Sequence, residues 1–244
     1  MSPLAIALAD HQAGNLPAAT AAYRAILSAA PSNPDAQHLL GLALLQQGAP
    51  GDALPPLRSA IALRPLEPLY LANYARAALA AQQPGEAEAA LRRALAQTPD
   101  DPALHHDLGL ALLRLHRPLE AEASLRRCLA LQPAATDAHI NLAAAQLAQH
   151  RPTAAAETLA RVLARDPDCV PALCGLAASL VALARGPDAE ANLRRAHRLA
   201  PADPAIATSR GAASGVRSRA RRRGSRRRGG EWWRGCSRRR RGRG

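Results

Sequence analysis

The sequence predicts an all-α chain, six helical hairpins stacked into a solenoid over residues 1–204, with a tail behind it. Three observations carry this. Of 244 residues, 60 are Ala and 38 are Leu, Phe is absent, and aromatics make up 2%. Ala and Leu favour helix, whereas a sheet protein wants β-branched and aromatic residues. Prolines recur at Pro31, Pro65, Pro99, Pro133, Pro167 and Pro201, each 34 residues after the last. Apolar residues recur at steps of three and four, as in Leu39, Leu42 and Leu45 or Leu108, Leu112 and Leu115. That spacing lines one face of a helix.

Each unit reads as helix A, a turn, helix B and a proline. Pro34, Pro68, Pro102 and Pro204 start the next helix A, because the first turn has no use for their missing N–H. Small residues at Gly41, Ala75, Gly109, Ala143 and Ala177 let helix A approach helix B. The turn is marked by Gly14, Gly48 and Gly186, or by His116 and His150. Pro84, Pro118 and Pro152 open helix B. Inside helix B, Ala19, Ala53, Ala87, Ala121, Ala155 and Ala189 keep the 34-residue step. Tyr23, Leu57, Leu91, Leu125, Leu159 and Leu193 follow four residues later. A larger residue at the Ala positions would push the helices apart. The unit-ending Pro then stops helix B. Pro55 and Pro56 violate the pattern, so the second helix B either starts late or is kinked. Past Ala200 the segment PADPAIATSRGAAS carries Ile206 but no Leu. The C-terminal face is therefore expected to expose Leu176, Leu180, Leu193 and Leu199, and to drive self-association.

A 34-residue unit with Leu-Gly, then Ala, a large apolar residue four later, and Pro resembles the tetratricopeptide repeat. The clearest copy carries Leu40-Gly41, Ala53, Leu57, Ala60 and Pro65. The resemblance covers about residues 2–203 and lacks the family's Trp, in whose place stand Leu71, His105, His139 and Leu173. It implies a right-handed solenoid whose helices A line a concave groove. The implied function is a scaffold binding a peptide or protein. The sixth position of helix A reads Leu39, Asn73, Asp107, Asn141 and Gly175. The arms of O-linked N-acetylglucosamine transferases are similar, since an asparagine ladder there holds a peptide backbone. An amide offers a donor and an acceptor to any peptide group. Two readings stay open: these residues face a ligand, or they bridge adjacent repeats. The carboxylate clamp of chaperone-binding relatives is not predicted. Its positions read Asp35, His38, Leu69, Ala72, Ala103, His106, Asp137 and Ile140, with Arg76 a lone match. The candidate groove residues are thus Asn73, Asp107, Asn141, Arg76, His38 and His106. The repeat-packing set is Gly41, Ala53, Pro65, Ala87, Pro99, Gly109, Ala121, Pro133, Ala155, Pro167, Ala189 and Pro201.

No metal, cofactor or catalytic constellation is predicted. Histidines at equivalent positions stand on the order of 10 Å apart, too far for one zinc. His105 and His139 are expected to pack where the family has Trp, with His116 and His150 in exposed turns. Cys128, Cys169, Cys174 and Cys236 show no ligand or disulfide spacing. No signal or membrane span is read, and a cytoplasmic protein is expected. The net charge of +13 belongs to the tail: residues 1–204 carry 17 Arg against 18 acids, and 205–244 carry 15 Arg against Glu231. The tail has three readings. It is a solvated disordered segment, a nucleic-acid arm using Arg and Trp232-Trp233 within residues 210–244, or a frameshift product of a GC-rich gene. A rival for the whole chain is the N-terminal arm of a glycosyltransferase or sulfotransferase, since HQAGNLPAATAAYRAIL resembles such arms.

Overall fold

A computed structural model describes residues 2–202 and Ile206. The readings of the 205–244 tail, Ile206 apart, and of Pro204 as a helix start, lie outside the described residues. Among those residues run twelve helices: α1 (Pro3–Gln12), α2 (Leu16–Ala29), α3 (Pro34–Gln46), α4 (Pro50–Leu63), α5 (Pro68–Ala80), α6 (Pro84–Gln97), α7 (Pro102–Arg114), α8 (Pro118–Leu131), α9 (Thr136–Ala148), α10 (Pro152–Arg165), α11 (Val170–Ala182) and α12 (Gly186–Leu199). They form six hairpins, with odd-numbered helices as A and even-numbered ones as B.

The turn inside every hairpin has one construction. After α1, the Asn15 amide donates to the Asp10 carbonyl at 2.9 Å and the Gly14 amide to His11 at 3.0 Å. The same pair of bonds follows each A helix, down to Arg185 on Leu180 and Ala184 on Val181. They satisfy carbonyls that a helix end leaves bare, and they require one left-handed residue. That residue is Gly14, Gly48, Gln82, His116, His150 or Ala184, with φ between 57° and 79°. Gly186 is therefore not the turn residue. It is the first residue of α12, and Ala184 takes the left-handed place. Distance along the repeat, not residue type, decides where the turn falls.

Each B helix ends two residues before a proline of the 34-residue series. The residue between them (Ala30, Arg64, Thr98, Gln132, Asp166 or Ala200) has φ between −130° and −138°. A following Pro clashes with helical backbone at that site. α4 is a single helix from Pro50 through Pro55 and Pro56 to Leu63, so the late start is not what forms. Pro50 opens it at the first position, and the burial of Leu54, Leu57, Ala60 and Ile61 carries it past the two interior prolines.

The chain makes two compact units, Met1–Asn141 and Leu142–Gly244, divided within α9. In the first unit, α1 to α8 pack as four hairpins, and α2, α4 and α6 also pack on the next A helix. Tyr23, Leu57, Leu91, Leu125, Ala19, Ala53, Ala87 and Ala121 are fully buried in it. A Cβ on Gly41 would lie 2.4 Å from Leu57 Cγ, and one on Gly109 would lie 2.6 Å from Leu125 Cγ. These contacts are why the position is small.

In the second unit α11 packs on both α10 and α12. Its C-terminal face is less open than the sequence implied. Ile206 is fully buried in a cluster with Leu173, Ala177, Leu180, Leu193 and Ala196. It stands 34 residues after Ala172, itself the successor of Ala36, Tyr70, Leu104 and Ala138. All of these are buried at the third position of a helix A. Ile206 fills that place and covers Leu180 and Leu193, while Leu199 stays 43% exposed. On the outer surfaces, arginines pair with acids of the neighbouring hairpin, as in Arg117 with Glu88 at 2.7 Å and Arg92 with Glu120 at 3.2 Å. Exposed pairs of this kind add little to stability, because solvent screens them. No described helix is long and apolar enough to cross a membrane.

Candidate functional site

The six candidate groove residues come together in the first unit as one hydrogen-bonded chain. The A helices position them. α3 lies against α5 and α5 against α7, so the fifth, sixth and ninth positions of neighbouring A helices meet. His38 of α3 stacks on Tyr70 of α5, with ring centroids 4.4 Å apart. The Asn73 amide nitrogen donates to His38 Nε2 at 2.8 Å. Arg76 Nη1 donates to Asn73 Oδ1 at 3.3 Å, and Arg76 Nε to Asp107 Oδ2 at 3.1 Å. His106 Nδ1 donates to the other Asp107 oxygen at 3.2 Å. Asn141 Nδ2 closes the chain on His106 Nε2 at 3.0 Å.

Asn73 is 6% exposed, and both ends of its amide are used inside the chain. Its geometry is that of a bridge between repeats. Arg76 is the open member, with 48% of its side chain exposed. Leu42 and Leu110 hold the same ninth position on α3 and α7 and are partly exposed. The face is therefore a polar track bordered by leucines.

Sequence reasoning did not see that histidine is the partner of asparagine. The available signal was a spacing of 35, one more than the repeat, from His38 to Asn73 and again from His106 to Asn141. It also missed the support beneath His38. Tyr70 donates to Asp35 Oδ1 at 2.5 Å, and Arg64 donates to the Tyr70 hydroxyl at 3.2 Å. Burial, then the bond to Asp35, pushes the Tyr70 phenol up to about 12.

The two histidines of the track differ electrostatically. Burial holds His38 below the usual imidazole range, against the pull of Asp35 and Glu67. The hydrogen bond to Asp107 lifts His106 above it, against burial and the Arg76 charge. The other histidines stand apart. His105 and His139 are partly buried, and each donates from Nε2 to the unit-ending proline carbonyl, Pro99 at 2.8 Å and Pro133 at 3.1 Å. His116 and His150 sit in the left-handed turns. Among the described residues no group of His, Cys, Asp and Glu is placed to hold a metal. What the track can do chemically is offer hydrogen-bond donors, acceptors and one exposed guanidinium along a single face.

Models of the tetratricopeptide repeat match residues 4–68, 44–109 and 112–180 of the chain. Among curated proteins, none matches it. Solved structures with a similar fold include a tetratricopeptide repeat protein from Parabacteroides merdae, with TM-score 0.79 and 16% identity over 88% of this chain and 86% of that one. PilF of Pseudomonas aeruginosa has TM-score 0.68 and 20% identity over 84% of this chain and 94% of its own. YrrB, described as having an unusual peptide-binding site, has TM-score 0.61 and 16% identity over 78% and 97%.

Proposed function

This chain belongs to the tetratricopeptide repeat family, and from that premise we propose that it is a protein-binding scaffold that holds an extended peptide segment of a partner along its A helices. The observation that carries the reading is the polar track. Four successive A helices, α3 to α9, contribute to one line of donors and acceptors. Such a line matches a peptide backbone whatever its side chains. The leucines beside it offer apolar contact. The similar fold of YrrB, whose peptide-binding site is described as unusual, supports the reading. The reading is one of binding rather than of catalysis.

Within the track, Arg76 and Asn141 make the ligand contacts, and Asn73 holds the repeats together. The test is selection of peptides from a random library, followed by titration of a selected peptide. Arg76→Ala and Asn141→Ala should each weaken it by about 1–3 kcal/mol, the usual effect of a lost charged or neutral hydrogen bond. Arg126→Ala, on the α8 surface, should leave it unchanged. Equal affinity for all three variants would remove the track from the binding site. Asn73→Ala should instead lower stability, because the buried His38 Nε2 loses its donor.

A further inference from the structure

The proton positions along the track follow from its donors. A guanidinium can only donate, so Asn73 turns its oxygen to Arg76 and its NH2 to His38. His38 Nε2 must then accept, which leaves the ring neutral with its hydrogen on Nδ1. A second proton would set N–H against NH2. The amide cannot flip to relieve this, because flipping would set its NH2 against Arg76. His106 is arranged differently. Its Nδ1 faces the Asp107 carboxylate, and its Nε2 faces Asn141. Among the described residues nothing fixes the Asn141 amide as Arg76 fixes Asn73. A flip there turns Oδ1 to accept from a protonated Nε2.

We propose that the track is a pH-responsive element of the array, in which mild acid charges His106 and tightens the α7–α9 junction, whereas His38 stays neutral until stronger acid, which breaks the α3–α5 junction. The element stands on side-chain geometry and does not depend on the peptide-binding reading. The groups facing His38 are Asp35 on its own helix, Glu67 at the start of α5, and Tyr70 and Asn73 on α5, with Arg64 behind Tyr70. Burial outweighs the two acids. The groups facing His106 are Asp107 on its own helix, Asp137 and Asn141 on α9, and Arg76 on α5. Here the bond to Asp107 outweighs burial and Arg76.

The two signs are opposite. A value raised in the folded state stabilises fully below the ordinary 6.5, and that contribution is lost as pH rises through the folded value. A lowered one stabilises above 6.5 and is lost as pH falls through the folded value. Protonating His106 also takes the Arg76–Asp107–His106 group from neutral to a net single positive charge.

Nitrogen NMR of the histidine rings in the full chain tests this, with assignments from His38→Gln and His106→Gln. The expected result is a His106 midpoint above 6.5 and a His38 midpoint below it, with neutral His38 in the Nδ1–H form. Asp107→Asn should lower the His106 midpoint, as loss of a contacting opposite charge does, with little change at His38. The wild-type spectrum alone decides the His38 arm if a variant fails to fold. A His38 midpoint at or above 6.5, an Nε2–H tautomer there, or a His106 midpoint indifferent to Asp107→Asn would each overturn the proposal.

Discussion

Ala184 holds a left-handed backbone, φ 59°, in which its Cβ crowds the following carbonyl. The same site carries glycine in the first two repeats, at Gly14 and Gly48. Ala184→Gly should therefore stabilise by about 1 kcal/mol, the left-handed strain outweighing the entropy that glycine adds to the unfolded chain. Thermal melting compares the two, and a lower midpoint for the glycine variant would show that the turn is unstrained. The reverse change, Gly48→Ala, should cost a similar amount. Residue-level features of this kind were only half legible in the sequence. Gly14 and Gly48 announced their turns, but Gly186 misled, since it opens α12 and Ala184 holds the left-handed place two residues earlier. In the track, Asn73 and Asn141 were visible through their shared position in the repeat. Their histidine partners were hidden because each bond runs from one repeat to a different position in the next.

At the scale of the element, the helices were legible because two constraints coincide. The prolines bound each helix, and the apolar period within those bounds admits only helix. α4 is the exception, since Pro55 and Pro56 argue locally against the helix that forms. Packing overrides them: Leu57 is fully buried, and its side chain closes on the bare backbone of Gly41. The two prolines nonetheless remove two amide donors from the helix. Pro55 is exposed and sits in the sixth position, so its ring has little to pack against. Pro55→Ala should stabilise the protein by about 2–3 kcal/mol, close to the cost of an interior proline in a helix. Chemical denaturation measures it. No gain would mean that α4 already bends to accommodate the ring and that the bend is needed elsewhere.

For the whole molecule, the 34-residue ruler outlasts the leucines. It was read from prolines whose 34-residue series ends at Pro201, and the array was bounded at residue 204. Ile206 lies two residues beyond and is fully buried, as the third position of a helix A is in α3, α5, α7, α9 and α11. A single isoleucine among alanines carries no periodic signal, so its role was not legible until the cluster around it was seen. The consequence separates two truncations. A chain ending after Gly211 keeps Ile206 and should melt close to the full-length protein, since the Arg/Gly-rich residues beyond it hold no Leu to bury. A chain ending after Asp203 loses Ile206 and uncovers Leu173, Leu180 and Leu193. By analogy with large-to-small core changes the cost is about 2–5 kcal/mol, and Ile206→Ala in the full chain should approach its lower end. In a stack where each unit leans on its neighbours, that loss should stay local. Amide exchange should quicken in α11 and α12 while the first unit keeps its protection. If the two truncations exchange alike, Ile206 does not cap the array, and the apolar end face predicted from the sequence returns as the surface through which copies associate.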